Sequence, residues 1–173
     1  MSSIPYDLNR VKAFIFDVDG VLSKNVISMN EQGEPMRTIN IKDGYALHLA
    51  AKQGYTLAII TGADTEAVKL RFERLGVQHI YLKSSIKTVD YEDFLKKTGL
   101  NEDEIVYVGD DIPDYEVMQR VGLPIAPADA APEIKEVAKY ISPINGGEGV
   151  GREIVEQVMR RQGTWMSDGA FGW

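Results

Sequence analysis

The sequence contains no cysteine, which excludes disulfide bonds and thiolate-held metal sites. Histidine is scarce too: His48 and His79 are the only two, so a histidine-rich zinc site is not expected. A metal ion would therefore be held by oxygen ligands, as Mg²⁺ and Ca²⁺ are. Basic residues are outnumbered, 19 against 26 acidic residues, for a net charge of −7. This balance argues against nucleic-acid binding, which needs a basic surface.

Long hydrophobic runs are also missing. No apolar stretch approaches the roughly 20 residues of a membrane-spanning helix, and the first residues, MSSIPYDLNR, do not form a secretory signal. We therefore expect a cytoplasmic protein that contacts neither nucleic acid nor membrane. The 173 residues, 44% of them hydrophobic, suffice for one domain with its own core. Three glycines and three aromatic residues among the last eleven predict a flexible tail over 163–173.

Short apolar runs alternate with helical patterns along the chain. Runs rich in β-branched and aromatic residues predict four buried strands, at 11–17, 55–60, 80–82 and 105–108. Intervening and following segments predict helices, at 43–53, 64–75, 88–98 and 148–161. The alternation predicts an α/β fold, a Rossmann-like parallel sheet with helices on both faces. Ligands of such folds bind at the carboxyl ends of the strands.

Residues 26–41, here called the flap, interrupt this alternation. Their sequence, VISMNEQGEPMRTINI, predicts a small β-hairpin of two short strands around a turn at Asn30–Gly33. A two-stranded hairpin is only marginally stable by itself in water. We therefore expect the flap to pack on another surface, such as that of a second subunit.

Polar groups follow every predicted strand. They are Asp17 and Asp19, then Thr61 and Gly62, then Lys87, and finally Asp110, Asp111 and Asp114. Taken singly, each is compatible with a helix cap, a turn or a solvated charge. Together they would bring five carboxylates and a lysine to one edge of the sheet, where the carboxylates repel one another unless a cation is present. Mg²⁺ and a phosphoryl group fit such a cluster. Paired aspartates could then act as nucleophile and as general acid and base.

These segments resemble the four motifs of the haloacid dehalogenase superfamily of phosphotransferases, in order and in location. The matching stretches are DVDG at 17–20, TG at 61–62, Lys87, and GDDIPD at 109–114. The resemblance implies that Asp17 is the nucleophile that becomes an aspartyl phosphate and that Asp19 is the general acid and base. It also implies that Thr61 and the Gly62 N–H bind the phosphoryl group, while Lys87 pairs with Asp17 and the phosphate.

The same resemblance implies a Mg²⁺ site. The ion would be held by Asp17, the backbone carbonyl of Asp19, and Asp110. Asp111 and Asp114 would position these ligands. Between the first two motifs the chain has room for the flap and one helix but for no cap domain.

Longer stretches are similar to the 3-deoxy-D-manno-octulosonate 8-phosphate phosphatases, in the capless branch of the superfamily. They include 33–50, 106–130 and 145–159. The resemblance implies hydrolysis of that sugar-acid phosphate in lipopolysaccharide synthesis, by a homotetramer joined through its flaps, with residues 1–162 as a single phosphatase domain. The sugar-acid contacts that it implies are Asn40, Ile41, Lys42, Asp43, Gly44 and Arg71.

Three alternative functions agree less well with the sequence. Ala63, His48 and Glu148 depart from the pattern of the octulosonate enzymes, so a sialic-acid-like nonulosonate 9-phosphate is the alternative substrate. A phospho-receiver signalling domain also uses Asp, Thr, Lys and Mg²⁺, but its phosphorylated Asp follows the third strand, where this sequence has none. A non-catalytic oligomerisation module would usually lack a nucleophile or a metal ligand, and none is lacking here.

Overall fold

The structure, a computed structural model, describes residues 4–172 and is built around a six-stranded parallel sheet. Its strands are Ala13–Phe16 (β1), Thr56–Ile60 (β2), His79–Tyr81 (β3), Ile105–Val108 (β4), Leu123–Ala126 (β5) and Tyr140–Ile141 (β6). The α-helices are Ile41–Lys52 (α1), Glu66–Arg74 (α2), Lys87–Thr98 (α3), Tyr115–Met118 (α4), Pro132–Val137 (α5) and Val150–Arg161 (α6). The predicted fold class is confirmed. All four predicted strands and all four predicted helices are present, and β5, β6, α4 and α5 come in addition.

Helices cover both faces of the sheet because side chains along each strand alternate between the faces. Phe14 and Phe16 of β1 contribute to a core that also contains Leu47 of α1 and Val155 of α6. Ile15, between them, contributes to the opposite core, which contains residues of α3 and α5. Every residue of β1 is buried, as expected for a parallel strand covered on both sides.

The strand order places the predicted site at one edge of the sheet. The order is β3-β2-β1-β4-β5-β6, and Phe16 of β1 is in register with Ile59 of β2 and Val108 of β4. The chain winds outwards from β1 in one direction through β2 and β3, and in the other direction from β4 onwards. Such a reversal opens a crevice at the carboxyl ends of the central strands. The loops that follow β1, β2 and β4 therefore meet there.

The flap folds back on itself as a small hairpin, as predicted, but its arms are too irregular to form named strands. It contains one antiparallel bridge, between Met29 and Pro35. The side-chain oxygen of Asn30 accepts two backbone N–H groups of the turn, and Pro35 has no N–H with which to extend the pairing. At the base of the flap the Thr38 N–H donates to the Ser23 hydroxyl at 2.9 Å. Between β1 and β2 the chain, fully described there, forms no cap domain.

The C-terminal segment, predicted to be flexible over 163–173, has two buried residues. Trp165 and Ala170 are buried against the core. The guanidinium of Arg152 lies 4.5 Å from the centre of the Trp165 ring, and the Tyr45 hydroxyl donates to the Ala170 carbonyl. The last residue of the chain lies outside the described residues. Within residues 4–172, no helix combines the length and the apolar character that crossing a membrane would require.

Candidate active site

A cavity of about 400 Å³ opens at the carboxyl edge of the sheet. It is lined by Asp17, Asp19, Asn25, Thr61, Gly62, Ser84, Ser85, Lys87, Asp110, Asp111 and Pro113. All five residues predicted to be catalytic are among them. The side chains predicted to lie at the metal are there too, except for Asp114, which lies directly behind the cavity wall. The fold thus brings together residues from four separate loops.

Lys87 joins the two acidic segments of the site. Its Nζ lies 2.7 Å from Asp17 Oδ2 and 2.7 Å from Asp114 Oδ1, and its side chain is only 3% exposed. Burial by itself would lower the pKa of Lys87, but the two carboxylates raise it above its ordinary value. The side chain is therefore a fixed cation. Lys87 is the first residue of α3, so the start of the helix holds its backbone in place.

Asp114 is fully buried and organises the loop after β4. Its Oδ1 accepts from the Tyr107 hydroxyl at 2.6 Å in addition to Lys87. Its Oδ2 accepts the backbone N–H groups of Asp110 and Asp111, at 3.0 and 3.3 Å. Because both oxygens are engaged in this way, Asp114 is suited to positioning its neighbours, the role predicted for it. The Tyr107 contact was missed, since Tyr107 reads as an ordinary apolar position in the sequence of β4.

Three carboxylates converge beneath the cavity. Oxygens of Asp17, Asp110 and Asp114 all lie within 4.8 Å of one another. Burial and then the charge of Asp114 raise the pKa of Asp17 to about 6, although Lys87 opposes the shift. Burial and the two neighbouring carboxylates raise the pKa of Asp110 to about 8. A Cβ on Gly20 would overlap the Asp110 carboxylate, so only glycine allows this approach. A divalent cation would relieve the part of these shifts that comes from repulsion between the carboxylates.

Asp19 faces the flap. Arg37 donates from Nε to Asp19 Oδ1 at 2.8 Å and from Nη2 to Oδ2 at 2.9 Å. The Arg37 side chain is 13% exposed and that of Asp19 is 44% exposed, so the pair is shielded on the arginine side and open to solvent on the other. Arg37 was not predicted as a site residue, because a single arginine in a polar loop does not indicate which carboxylate it contacts.

Thr61 and Gly62 end β2 at the cavity wall. The Thr61 hydroxyl oxygen accepts the Ala63 N–H at 3.2 Å, which leaves its own hydrogen to be donated to a ligand. The Thr61 carbonyl accepts the Ser84 N–H at 3.0 Å, which ties the end of β2 to the loop after β3. Ser84 and Ser85 in that loop were not predicted as site residues.

The predicted sugar-acid contacts lie outside this cavity. Asn40 caps α1, because its side-chain oxygen accepts the backbone N–H groups of Lys42 and Asp43 at 2.9 and 3.3 Å. Asn40 and Lys42 line a second cavity of about 480 Å³ beside α6. Ile41 is 70% exposed.

Asp43 is buried between the first turns of α1 and α6. Its Oδ1 accepts the Arg152 N–H at 2.6 Å, while its Oδ2 has no hydrogen-bond partner among the described residues. Burial raises the pKa of Asp43 to about 6, opposed by Arg152. Its position is that of a helix cap that joins two elements.

Arg71 lines a third cavity of about 380 Å³ between the flap and α2. Its guanidinium packs on Gly44, where a Cβ would overlap Nη2. The buried Nε of Arg71 has no hydrogen-bond partner in the described part of the chain. Within one chain, therefore, the six predicted sugar contacts are distributed around the flap and α1, and the catalytic residues are gathered elsewhere.

Comparisons with known proteins agree with this architecture. Residues 78–154 match the haloacid dehalogenase-like hydrolase family. Over 154 residues the chain is 39% identical to the 3-deoxy-D-manno-octulosonate 8-phosphate phosphatase KdsC of Escherichia coli K12, with 89% of this chain and 82% of the relative covered. A solved structure of that phosphatase from Yersinia pestis superposes with a TM-score of 0.87 at 35% identity, over 91% of this chain and 85% of the other. A Moraxella catarrhalis structure, in complex with magnesium, phosphate and KDO, has a TM-score of 0.85 at 31% identity and 90% coverage of both chains.

Proposed function

Since the chain belongs to the 3-deoxy-D-manno-octulosonate 8-phosphate phosphatase family of haloacid dehalogenase-like hydrolases, we propose that it is a Mg²⁺-dependent phosphomonoesterase for that sugar-acid phosphate. It would release the free sugar acid and inorganic phosphate. One observation carries the proposal. The buried Lys87 bridges Asp17 and Asp114 at 2.7 Å each, beside Asp110, in a cavity that also holds Asp19.

The donor set suits Mg²⁺. It consists of carboxylate oxygens within 4.8 Å of one another, and hard divalent cations prefer oxygen ligands. Asp17 and Asp110 would hold the ion together with the backbone carbonyl of Asp19. Asp114 orients Asp110 by accepting the backbone N–H of Asp110. The Asp111 carboxylate accepts the Ile112 N–H at 2.8 Å and so shapes the same loop. When bound, the ion neutralises the carboxylates and withdraws charge from the phosphoryl oxygens.

Asp17 is the nucleophile in this mechanism. One carboxylate oxygen attacks phosphorus, the bond from phosphorus to the sugar oxygen breaks, and an aspartyl phosphate forms. The Val18 N–H, 2.6 Å from Asp17 Oδ1, and Lys87 at Oδ2 fix the orientation of the carboxylate. Thr61 donates its hydroxyl hydrogen to a phosphoryl oxygen, and the Gly62 N–H contributes a second hydrogen bond.

Asp19 moves the protons. In the first step it donates a proton to the departing sugar oxygen. In the second step it accepts a proton from the water molecule that attacks phosphorus, and phosphate and free Asp17 are released. In the structure Arg37 binds both Asp19 oxygens, so Asp19 has to leave at least one of these contacts and take up a proton before it can act as the acid of the first step.

We also propose that a second copy of the chain completes the sugar-binding side of the site, within a homotetramer. The flap and the residue that starts α1 expose apolar side chains to solvent in the single chain, namely Val26, Met29, Met36, Ile39 and Ile41. A patch of this kind marks an interaction surface. An assembly through the flaps would cover it and would bring Lys42 and its neighbours close to another copy's cavity. Light scattering at micromolar protein concentration checks the mass of the assembly.

We further propose a domain organisation and a cellular location for the enzyme. Residues 1–162 would act as one phosphatase domain and 163–173 as an appendage anchored at Trp165. The enzyme would work in the cytoplasm, in the supply of the sugar acid for lipopolysaccharide. Cell fractionation with an antibody against the chain checks this location.

The first experiment measures phosphate release in the presence of Mg²⁺. It compares the octulosonate 8-phosphate, a nonulosonate 9-phosphate and common sugar phosphates. We expect kcat/KM for the octulosonate to exceed the others by about a hundredfold, which corresponds to about 2.7 kcal/mol of transition-state discrimination. A preference for the nonulosonate would assign a different substrate to the enzyme, while the proposed phosphatase chemistry would stand. Equal, slow hydrolysis of every substrate would contradict the specificity proposed here.

The Asp17→Asn variant tests the mechanism. The amide cannot form the aspartyl phosphate, so turnover should fall below detection while the protein remains folded. Full activity of this variant would overturn the assignment of Asp17 as nucleophile.

A further inference from the structure

We propose that Lys83 is a specificity-determining residue whose ammonium group binds the carboxylate of the substrate at the rim of the catalytic cavity. The inference rests on the proposed function, since it concerns the acid group of a sugar-acid phosphate. Lys83 follows β3 and was not among the residues that the sequence patterns single out.

The backbone places Lys83 directly beside the site. Its N–H donates to the Ala63 carbonyl at 3.0 Å, and the next N–H, of Ser84, donates to the Thr61 carbonyl at 3.0 Å. Thr61, Ser84 and Ser85 all line the catalytic cavity. The Ser84 hydroxyl donates to Asp90 of α3, which fixes the loop from its other side. Lys83 does not itself line the cavity, but it directly precedes Ser84, which does.

The conformation of Lys83 is unusual for a residue with a side chain. Its φ is +56°, in the left-handed region that glycine adopts easily and that a Cβ disfavours. Among the described residues, only Met166 shares this feature without being a glycine. A lysine held in a conformation better suited to glycine, next to a catalytic cavity, is a local cost that side-chain chemistry can offset.

The charges around the cavity leave a role for such a cation. Of the residues that line it, four are aspartates, and Lys87, its single lysine or arginine, already bridges Asp17 and Asp114. Lys42 and Arg71, which were predicted to hold the acid group, line other cavities. Arg37 is already paired with Asp19 and Lys42 would approach only from another copy, so Lys83 would supply a cation for the carboxylate from the chain that holds the catalytic residues.

The ammonium group of Lys83 can exchange its present partner for a substrate carboxylate. Its Nζ lies 2.9 Å from Asp64 Oδ2, and the two side chains are 69% and 58% exposed. Ion pairs as exposed as this one contribute little to stability, so a substrate carboxylate can replace Asp64 as the partner.

The test separates the acid group from the phosphate. Steady-state kinetics would be measured for the wild type, Lys83→Gln and Lys83→Arg, with the octulosonate 8-phosphate and with D-arabinose 5-phosphate, which has no carboxylate. For Lys83→Gln we expect KM for the octulosonate to rise about tenfold with kcat little changed, since the contact binds ground state and transition state alike. KM for the pentose phosphate should stay within about twofold, and Lys83→Arg should restore the wild-type KM for the octulosonate.

Three further variants address charge and strain. Lys97→Gln removes an exposed lysine that is paired with Asp93 at the far end of α3, and it should change neither KM. Lys83→Gly and Met166→Gly both relieve a left-handed residue and should both raise the melting temperature, but only Lys83→Gly should raise the KM for the octulosonate.

The outcomes distinguish this inference from the proposed function. If the wild type prefers the octulosonate and Lys83→Gln retains the wild-type KM for it, the role of Lys83 is wrong and the function stands. A loss of equal size on both substrates would also overturn the role, because it would not depend on the carboxylate. If the wild type itself does not hydrolyse the octulosonate 8-phosphate, the proposed function and this inference fail together.

Discussion

Arg37 binds both carboxylate oxygens of Asp19, at 2.8 and 2.9 Å, and thereby connects the flap to the residue proposed to transfer protons. A planar guanidinium fixes the orientation of a carboxylate better than a single ammonium group can. The neighbouring residue, Thr38, is bound to Ser23 in the loop after β1. The position of the flap and the orientation of Asp19 are therefore set together.

Removal of Arg37 should slow the hydrolysis of a substrate whose leaving group has to be protonated more than that of a substrate whose leaving group needs no proton. We expect Arg37→Ala to lower kcat/KM for the octulosonate 8-phosphate at least about tenfold, since general acid catalysis contributes factors of this size or larger. For p-nitrophenyl phosphate, whose leaving group needs no proton, kcat/KM should change less than about threefold. The kcat/KM of Arg37→Lys should lie between those of the wild type and Arg37→Ala, because lysine keeps the positive charge but cannot make the bidentate contact to Asp19. Arg10→Ala, at an exposed arginine paired with Asp103, serves as the control. Equal losses on the two substrates would contradict this role.

Magnesium should stabilise the protein more at high pH than at low pH. The folded-state pKa values of Asp17 and Asp110, about 6 and about 8, both exceed the ordinary value of 3.8. Between pH 4 and 8 the metal-free folded state thus binds more protons than the unfolded chain, and the free energy of unfolding falls as pH rises. Bound Mg²⁺ offsets this loss, so the rise in melting temperature on adding Mg²⁺ should be small at pH 5 and larger at pH 8.

Thermal unfolding in EDTA and in Mg²⁺, at several pH values, measures this effect. Asp110→Asn should flatten the pH dependence in EDTA and reduce the response to Mg²⁺. A melting temperature that Mg²⁺ raises equally at every pH would show that these carboxylates do not hold the ion.

Asp43→Asn should decide whether Asp43 is a structural cap or a substrate contact. The folded pKa of Asp43, about 6, lies above 3.8, so its ionisation makes the folded state less stable as pH rises from about 4 to about 6. Asparagine still accepts the Arg152 N–H and does not ionise. The variant should therefore be more stable than the wild type at pH 7.5, by about 3 kcal/mol, with a smaller advantage at pH 4.

Kinetics of the same variant complete the test. As a cap, Asp43 can be replaced with little change in KM for the octulosonate. A KM that rises tenfold or more would favour the substrate contact that the family resemblance implies. Asn40→Ala, which removes a cap of α1 but no buried charge, should lower stability by about 1 kcal/mol at both pH values and so separates capping from titration.

Local composition was enough to predict the central strands. β1, β2 and β4 are continuous apolar runs because both faces of a parallel sheet are covered. β5 was missed because Pro124 interrupts its four residues, and proline in a short run argues against a strand. Pro124 is nevertheless tolerated there, in register with Tyr107. β6, with two residues, is too short to produce a pattern.

The catalytic residues were predictable because each directly follows a strand, and the ends of parallel strands meet. Contacts between side chains far apart in sequence could not be predicted. Nothing local indicates that Arg37 reaches Asp19 or that Tyr107 donates to Asp114. The glycine content of the C-terminal segment predicted flexibility, whereas the burial of Trp165 depends on Arg152, which lies one helix earlier.

Trp165 should stabilise the fold without serving the reaction. Its ring is 92% buried, lies 4.5 Å from the Arg152 guanidinium and packs edge-on against Tyr45. Replacing a buried tryptophan by alanine in a core costs about 3–5 kcal/mol. At the margin of this core we expect about 2 kcal/mol, or a melting temperature lower by roughly 4–8 °C. Urea denaturation of Trp165→Ala measures the loss, and kcat and KM should match the wild type below the transition.

Phe171→Ala, one residue past Ala170 and 81% exposed, should leave stability unchanged. If both variants unfold like the wild type, the segment after α6 does not contribute to the core. If Trp165→Ala instead alters KM while stability is retained, the segment acts at a substrate site.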